Sequence, residues 1–166
     1  PGIRAHNSGV PFDDPSGDRL RFWMGVDRAQ FYDDRNVLIA PMGFCFPGHT
    51  ADKGDLPPRR ECASTWHDRL FPTMPQVELI LAIGRYAQIY HFKRLGRALP
   101  PSGKLEDLVR SWRDYAGAAP RIFALPHPSW RNSGWLKRNP WFEAEVLPEL
   151  RQEVAEKLVV AASQNG

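Results

Sequence analysis

A histidine and a serine follow directly after a short apolar segment, and their side chains are suited to hydrogen-bond and proton-transfer chemistry. They belong to the sequence His127-Pro128-Ser129, and residues 122–125 before them are typical of a buried strand. A turn that leaves the carboxyl end of such a strand presents an imidazole, a hydroxyl and backbone amides at the rim of an α/β sheet. Open α/β folds bind their ligands at this rim.

A second set of reactive side chains lies in the first half of the chain. His6, Asp13 and Asp14 could polarise a water molecule, and the two acids also stand where Asp caps the helix that follows. Cys45 and Cys62 are too few for a disulfide framework, and on their own they are typical of buried thiols.

The elements that would position these residues alternate between strands and helices. Apolar segments predict buried strands over residues 37–40, 77–83 and 122–125. Apolar residues at helical spacing predict helices over residues 18–24, 60–70, 85–92, 105–115 and from 139 onward. This alternation predicts an α/β fold, a three-layer α/β/α sandwich around a short parallel sheet.

Two of the predicted helices carry specific expectations. On the helix over residues 60–70, Trp66 and Leu70 are expected to share the apolar face. The last helix is expected to begin at Asn139 as its cap, with Pro140 in the first position. Pro148 should kink this helix or divide it, because proline lacks the backbone N–H that an α-helix needs.

Length and composition fit one soluble domain. The 166 residues suffice for a single domain, taken as 1–166, and no apolar run is long enough for a membrane span or a signal peptide. A cytoplasmic monomer without a membrane partner is therefore expected. The net charge of +3 favours a polyanionic partner only slightly. Basic residues cluster in two loops, one with Arg59 and Arg60 and the other with Arg131, Lys137 and Arg138. These clusters either contact phosphates or form a solvated basic surface.

Several motifs resemble those of the uracil-DNA glycosylase superfamily, nearest its bacterial and archaeal iron–sulfur branch (family 4). Pro1-Gly2 resembles the end of the family's Gly-x-x-Pro-Gly motif, and residues 8–12 resemble its Thr-Gly-x-Pro-Phe. The His-Pro-Ser loop and the strand end at residues 83–87 also match, so the resemblance covers nearly the whole chain. It implies a four-stranded sheet whose first strand would precede Pro1. We therefore expect the natural protein to extend upstream, with a chance irregularity at the start as the alternative.

The resemblance implies a site for a base that is flipped out of DNA. Phe12 would stack on this base, since an aromatic ring face is a good platform for it, and the alternative is that Phe12 fills the core. His6 falls where the iron–sulfur branch has an acidic residue, which makes it a candidate for holding the attacking water. In several other branches the residue with that role belongs to the first motif, of which this chain shows only the end.

One position departs from the superfamily pattern. Most members read uracil with an Asn on the second strand, because a side-chain amide can both donate to and accept from the base. In this chain Pro41 stands near that position. Backbone groups of Met42, Gly43 and Phe44 are therefore expected to read the base, and uracil itself is inferred from the resemblance.

The cysteines match a pair that family 4 uses as cluster ligands. Cys45 and Cys62 would supply two thiolates of a [4Fe-4S] cluster, whose other two cysteines lie upstream of the first motif in the family. Four thiolates are the usual ligand set. The chain alone is therefore expected to lack a complete cluster, and two structural thiols are the alternative.

The resemblance assigns the catalytic and DNA-binding roles to the loop after the strand. His127 would donate a hydrogen bond to the base carbonyl as negative charge develops. Ser129 would bind a backbone phosphate. Trp130, Arg131 and Asn132 belong to the loop that wedges into DNA in place of the flipped base.

The implied activity is hydrolysis of the N-glycosidic bond in DNA repair, which leaves an abasic site. No lysine is placed as a Schiff-base nucleophile, so a monofunctional enzyme without strand cleavage is expected, acting on bacterial DNA at the nucleoid. Two alternatives stay open: a glycosylase for another deaminated base such as hypoxanthine, and a non-catalytic nucleic-acid-binding relative. A flavodoxin-like nucleotide-binding protein is disfavoured, because the sequence has no GxGxxG or GxxxxGK loop.

Overall fold

A computed structural model of the chain describes residues 1–52, 54–115 and 117–164, the last five of these by their backbone alone. Its α-helices are, in chain order, α1 (Ile3–Ser8), α2 (Pro15–Met24), α3 (Arg28–Phe31), α4 (Arg60–Cys62), α5 (Asp68–Leu70), α6 (Gly84–Arg94), α7 (Leu105–Arg110), α8 (Ser133–Arg138) and α9 (Leu147–Gln164). Within the described ranges, no helix is both long enough and apolar enough to cross a membrane.

The sheet of the described residues has two parallel strands. Strand β1 (Leu79–Ile83) pairs with β2 (Arg121–Leu125), and Ile83 lies opposite Leu125 at the carboxyl ends. The sequence predicted both strands, although β1 begins two residues later than expected and β2 one residue earlier. Because parallel strands end at the same edge, the segments that follow β1 and β2 start side by side.

Helices pack on both faces of this sheet, because successive strand side chains point to opposite sides. On one face Phe123 and Leu125 join a core with α2 and α9. On the other face Ile122 and Ala124 pack with Phe92 of α6 and other apolar residues. The layers are therefore helix, sheet and helix, which confirms the predicted α/β class.

The strand predicted over residues 37–40 is wrong. This segment has no ladder partner among the described residues, and it follows a turn in which the Asn36 and Val37 amides donate to the Asp33 carbonyl. Leu38 is 52 % exposed, although the prediction placed it in the core. A short apolar run does not form a strand without a neighbouring strand to accept and donate its backbone hydrogen bonds.

The helix over residues 60–70 forms, but its buried side chain is not the expected one. A π-helical turn (Ala63–His67) joins α4 to α5 and changes the helical register. Trp66 is 54 % exposed, and the adjacent His67 is fully buried in its place. The prediction for Trp66 is therefore wrong, because it assumed an unbroken α-helical period.

The last helix also contains a π-helical turn, Phe142–Val146, directly before Pro148. This wide turn accommodates the missing proline N–H, and α9 begins at Leu147, so the helix changes type where the sequence predicted that Pro148 would interrupt it. The Asn139 carbonyl accepts from the Phe142 amide, as expected at a helix start. Its side-chain oxygen instead accepts from the indole of Trp141, so it is not a side-chain cap.

Candidate functional site

The carboxyl end of β2 places His127 at the rim of the sheet. Gln88 of α6 is 1 % exposed, and its side-chain amide donates to the carbonyl of Leu125, the last residue of β2, at 2.8 Å. Gly84, which follows β1 with φ +75°, lies directly beside the histidine, because a Cβ placed on it would be 3.7 Å from Cβ and Cδ2 of His127. The ends of the two strands therefore hold the imidazole between them.

Phe12 faces His127 across this rim. The two ring centroids are 6.4 Å apart and the planes are tilted by 32°. Phe12 also meets the edge of Phe31 at 6.2 Å, and the hydroxyl of Tyr32 donates to the carbonyl of the preceding Pro11 at 2.8 Å. One side of the Phe12 ring is thus anchored in the core while it also approaches the histidine. The two sequence interpretations of Phe12, stacking platform and core residue, both describe part of its position.

The backbone at Phe12 is strained, and α2 holds it in place. Phe12 has φ +59°, a left-handed conformation that a phenylalanine rarely adopts. Asp14 caps α2 by accepting from the Gly17 amide at 3.0 Å, as the sequence predicted. A Cβ placed on Gly17 would lie only 1.8 Å from the Phe12 carbonyl oxygen. The close approach of loop and helix therefore requires glycine at position 17.

The electrostatic environment of His127 favours the neutral imidazole. Its side chain is open to solvent at the rim, yet the protein packed around the ring lowers its pKa from the usual 6.5. The negative charges of Asp14 and Asp55 oppose this effect, but the pKa remains below its usual value. A neutral imidazole has one N–H to donate and one nitrogen to accept.

The loop from His127 to Asn132 is braced by its own hydrogen bonds. The side-chain amide of Asn132 donates to the His127 carbonyl at 2.7 Å, and its backbone amide donates to the Ser129 carbonyl at 3.1 Å. Arg19 of α2 also donates to the Ser129 carbonyl, at 3.0 Å. Asn132 therefore stabilises the loop, a role that the sequence did not suggest for it.

The outer part of this loop is free to contact a partner. Trp130 is 77 % exposed, the most exposed of the large apolar side chains described. The Ser129 hydroxyl has no hydrogen-bond partner among the residues that the structure describes. The guanidinium of Arg131 lies near Gly54, because a Cβ placed on this glycine would be 3.7 Å from Nη1. The loop therefore meets the segment around residue 54.

The other predicted site residues have contacts of their own outside the Phe12–His127 pair. The ring of Phe44 packs on His67, with centroids 5.6 Å apart, and Gly43 is buried against Pro58. Met42 is half-buried. Nδ1 of His6 faces the backbone amide of Phe46 at 3.5 Å, a long contact on an exposed surface.

The cysteines do not form a complete metal site within the described residues. Cys45 is exposed, Cys62 is half-buried, and both are free thiols. In the ranges that the structure covers, no three His, Cys, Asp or Glu side chains converge as metal ligands. Two thiols are half of the set that a [4Fe-4S] cluster takes, so these residues do not fit the group by themselves.

Two open surface clefts, of about 440 and 500 Å³, lie elsewhere on the molecule. Neither is lined by Phe12 or His127.

The sequence missed three residues that organise the site: Gly17, Arg19 and Gln88. A signal was available for Gln88, which stands four residues before Phe92 and so shares the apolar face of α6. A buried amide on such a face needs a partner, and the nearest strand end supplies it. Gly17 acts through the close approach of the preceding loop at Phe12, and Arg19 through Ser129, 110 positions away; no periodic pattern in the sequence shows either contact.

A comparison with family models agrees with this arrangement. Residues 1–151 match the model described as “Uracil DNA glycosylase superfamily”. The matched range contains both strands, Phe12 and the whole His127–Asn132 loop.

Proposed function

The chain belongs to the uracil DNA glycosylase superfamily, and from this premise we propose that it hydrolyses the N-glycosidic bond of a flipped-out uracil in DNA. The superfamily supplies the reaction class, base excision by a DNA glycosylase. The assignment of this reaction to particular residues rests on the facing rings of Phe12 and His127, whose centroids are 6.4 Å apart at the carboxyl edge of the sheet.

The pair suits the two needs of base excision. A pyrimidine placed against the Phe12 ring gains stacking energy, about 1–3 kcal/mol for a base on an aromatic side chain. Its carbonyl oxygen then comes within reach of the His127 imidazole. As the bond from C1′ to the base nitrogen breaks, the electron pair leaves with the base, and an N–H of the neutral imidazole stabilises the negative charge on the oxygen.

We propose a monofunctional reaction. Water adds to C1′ of the sugar, so the products are the free base and an abasic site in an unbroken strand. Nothing in this scheme requires an enzyme amine or a metal. Cys45 and Cys62 would supply only two of the four thiolates of a [4Fe-4S] cluster, and no step is assigned to such a cluster.

The loop that carries His127 also supplies the contacts to DNA. We propose that the exposed Trp130 inserts into the stack where the base has left, which offsets part of the few kcal/mol that flipping requires. The Ser129 hydroxyl and the Arg131 guanidinium would bind backbone phosphates. Asn132 holds the loop in shape through its bond to the His127 carbonyl.

The base is read by the backbone in this proposal. Gly43 is buried against Pro58, which fixes the segment from Met42 to Phe44. The Pro41 carbonyl is occupied, because Nε2 of His67 lies 2.9 Å from it. Met42, Gly43 and Phe44 therefore offer the remaining amides and carbonyls of this segment.

The test uses end-labelled duplexes with one uracil, one hypoxanthine or no lesion, followed by alkali. We expect alkali-dependent cleavage at uracil alone. Cleavage at hypoxanthine alone would keep the reaction and overturn the choice of base. Binding without cleavage of any duplex would favour a non-catalytic relative.

A matched pair of variants tests the stacking surface. Phe12→Leu should lower the single-turnover rate at uracil by about 10- to 100-fold, the equivalent of the lost stacking. Phe22→Leu removes an aromatic ring of α2 that is 63 % exposed, and it should leave the rate unchanged. Equal rates for the two variants would contradict the role of Phe12.

A further inference from the structure

A short hairpin, formed by residues 48–52 and 54–56, approaches the candidate site from a part of the chain that the proposed function does not use. The Thr50 amide donates to the Gly54 carbonyl at 2.7 Å, and the Leu56 amide donates to the Gly48 carbonyl at 2.9 Å. These bonds set His49 and Asp55 opposite each other as a β-bridge.

The hairpin brings the carboxylate of Asp55 next to the Pro1-Gly2 motif. Its Oδ1 lies 3.5 Å from Nδ1 of His49, and its Oδ2 lies 3.7 Å from the position of a Cβ on Gly2. Its negative charge also acts on His127, where it opposes the lowering of the pKa by burial. On the same hairpin, Gly54 adjoins the Arg131 guanidinium. The hairpin thus adjoins both the first motif and the wedge loop.

The three side chains that the sequence offered for holding a water molecule make other contacts in the structure. The carboxylate of Asp14 caps the Gly17 amide at 3.0 Å, and that of Asp13 pairs with Arg28 at 2.9 Å. Nδ1 of His6 faces a backbone amide. The Asp55 side chain is 53 % exposed, and its ion-pair partner in the described residues is His49 alone, so it keeps oxygen atoms open to water.

We propose that Asp55 is the general base that holds and deprotonates the attacking water, an inference that rests on the proposed function. Departure of the base leaves positive charge on the sugar, and a carboxylate beside it stabilises that charge. The water oxygen forms the bond to C1′ while the bond from C1′ to the base nitrogen breaks with its electron pair. The water proton passes to Asp55, which releases it to solvent or to the departing base. His49, paired with Asp55, orients the carboxylate.

A charge-removing substitution tests this role. Asp55→Asn keeps the size of an exposed side chain, so the fold should be preserved. We expect the single-turnover rate of base release at saturating enzyme to fall by about 10²- to 10⁴-fold, the range for a general base. The Kd for uracil-containing duplex should stay within a few-fold or decrease, since a negative charge near DNA is removed.

Asp52→Asn is the matched control, because it removes the same charge from the tip of the same hairpin. It should keep the wild-type rate. Equal falls in both variants would overturn the proposal, since they would indicate a general effect of hairpin charge. An Asp55→Asn rate within about three-fold of wild type would overturn it too.

The controls separate this inference from the proposed function. An active wild type with an undiminished Asp55→Asn variant overturns the role of Asp55 alone. A wild-type chain that releases no base from any duplex overturns the proposed function, and the role of Asp55 with it.

Discussion

Gly17→Ala tests whether the site depends on the close approach of α2 to the Phe12 loop. The added Cβ would lie 1.8 Å from the Phe12 carbonyl oxygen and 2.7 Å from its carbonyl carbon. Both are backbone atoms, so no side chain can swing aside. An ordinary contact of 3.4 Å requires the oxygen to move by about 1.6 Å. Phe12 already has φ +59° and has little freedom to absorb such a shift.

The size of this displacement sets the expected effect. A misplacement of about 1 Å can reduce a catalytic rate about 10²-fold, so the rate of base release should fall at least that far. Overpacking should lower the free energy of unfolding by about 1–3 kcal/mol. A loss of stability would be informative, because replacing glycine by alanine within a helix otherwise raises the free energy of unfolding by roughly 0.5–1 kcal/mol.

Two measurements check this prediction: urea unfolding and single-turnover base release. Gly134→Ala in α8 is the matched control, since its Cβ would meet only the far end of the Arg138 side chain, at 3.5 Å. It should keep the wild-type rate and equal or exceed the wild-type stability. A Gly17→Ala variant with wild-type stability and rate would refute the reasoning.

Three further predictions concern a support, a titration and the wedge. Gln88→Met leaves the buried Leu125 carbonyl without its donor at 2.8 Å, and urea unfolding should show a loss of about 1–3 kcal/mol. Burial and the nearby charges of Arg94 and His67 lower the pKa of His91 from 6.5 to about 4. Because the unfolded imidazole is protonated first as the pH falls, the free energy of unfolding should decrease between pH 6.5 and 4, and urea titrations of His91→Phe should lack that part of the decrease. Trp130→Ala should change stability by less than about 0.5 kcal/mol, because the side chain is exposed, yet slow excision from duplex more than from single-stranded DNA.

The sequence predicted the parts of the fold that local patterns specify. The apolar runs of β1 and β2 and the polar turn at His127 were enough to place an imidazole at the edge of a parallel sheet. The same logic failed for residues 37–40, because an apolar run does not reveal whether a neighbouring strand pairs with it. It failed for Trp66 because a π-helical turn shifts the face of the helix.

The remaining features of the site depend on how loops fold back on themselves and on neighbouring helices, which no periodic pattern in the sequence shows. The approach of Gly17 to Phe12 requires the loop to fold over α2, and neither residue signals it alone. The residues next to Asn132 in its loop suggest contact with DNA, yet the side-chain amide of Asn132 donates a hydrogen bond to the His127 carbonyl. Asp55 is positioned by a hairpin with two backbone hydrogen bonds, and the amino-acid composition of the segment does not predict these bonds.

Release of free base by His127→Ala tests the central claim most directly. Wild type and variant are compared under single turnover on a uracil-containing duplex, with the free base quantified and duplex binding measured in parallel. The account predicts base release by wild type, a rate about 10²- to 10³-fold lower for the variant, and duplex affinities within a few-fold. A variant that releases uracil at the wild-type rate, or a wild type that binds the duplex and releases none, would contradict it.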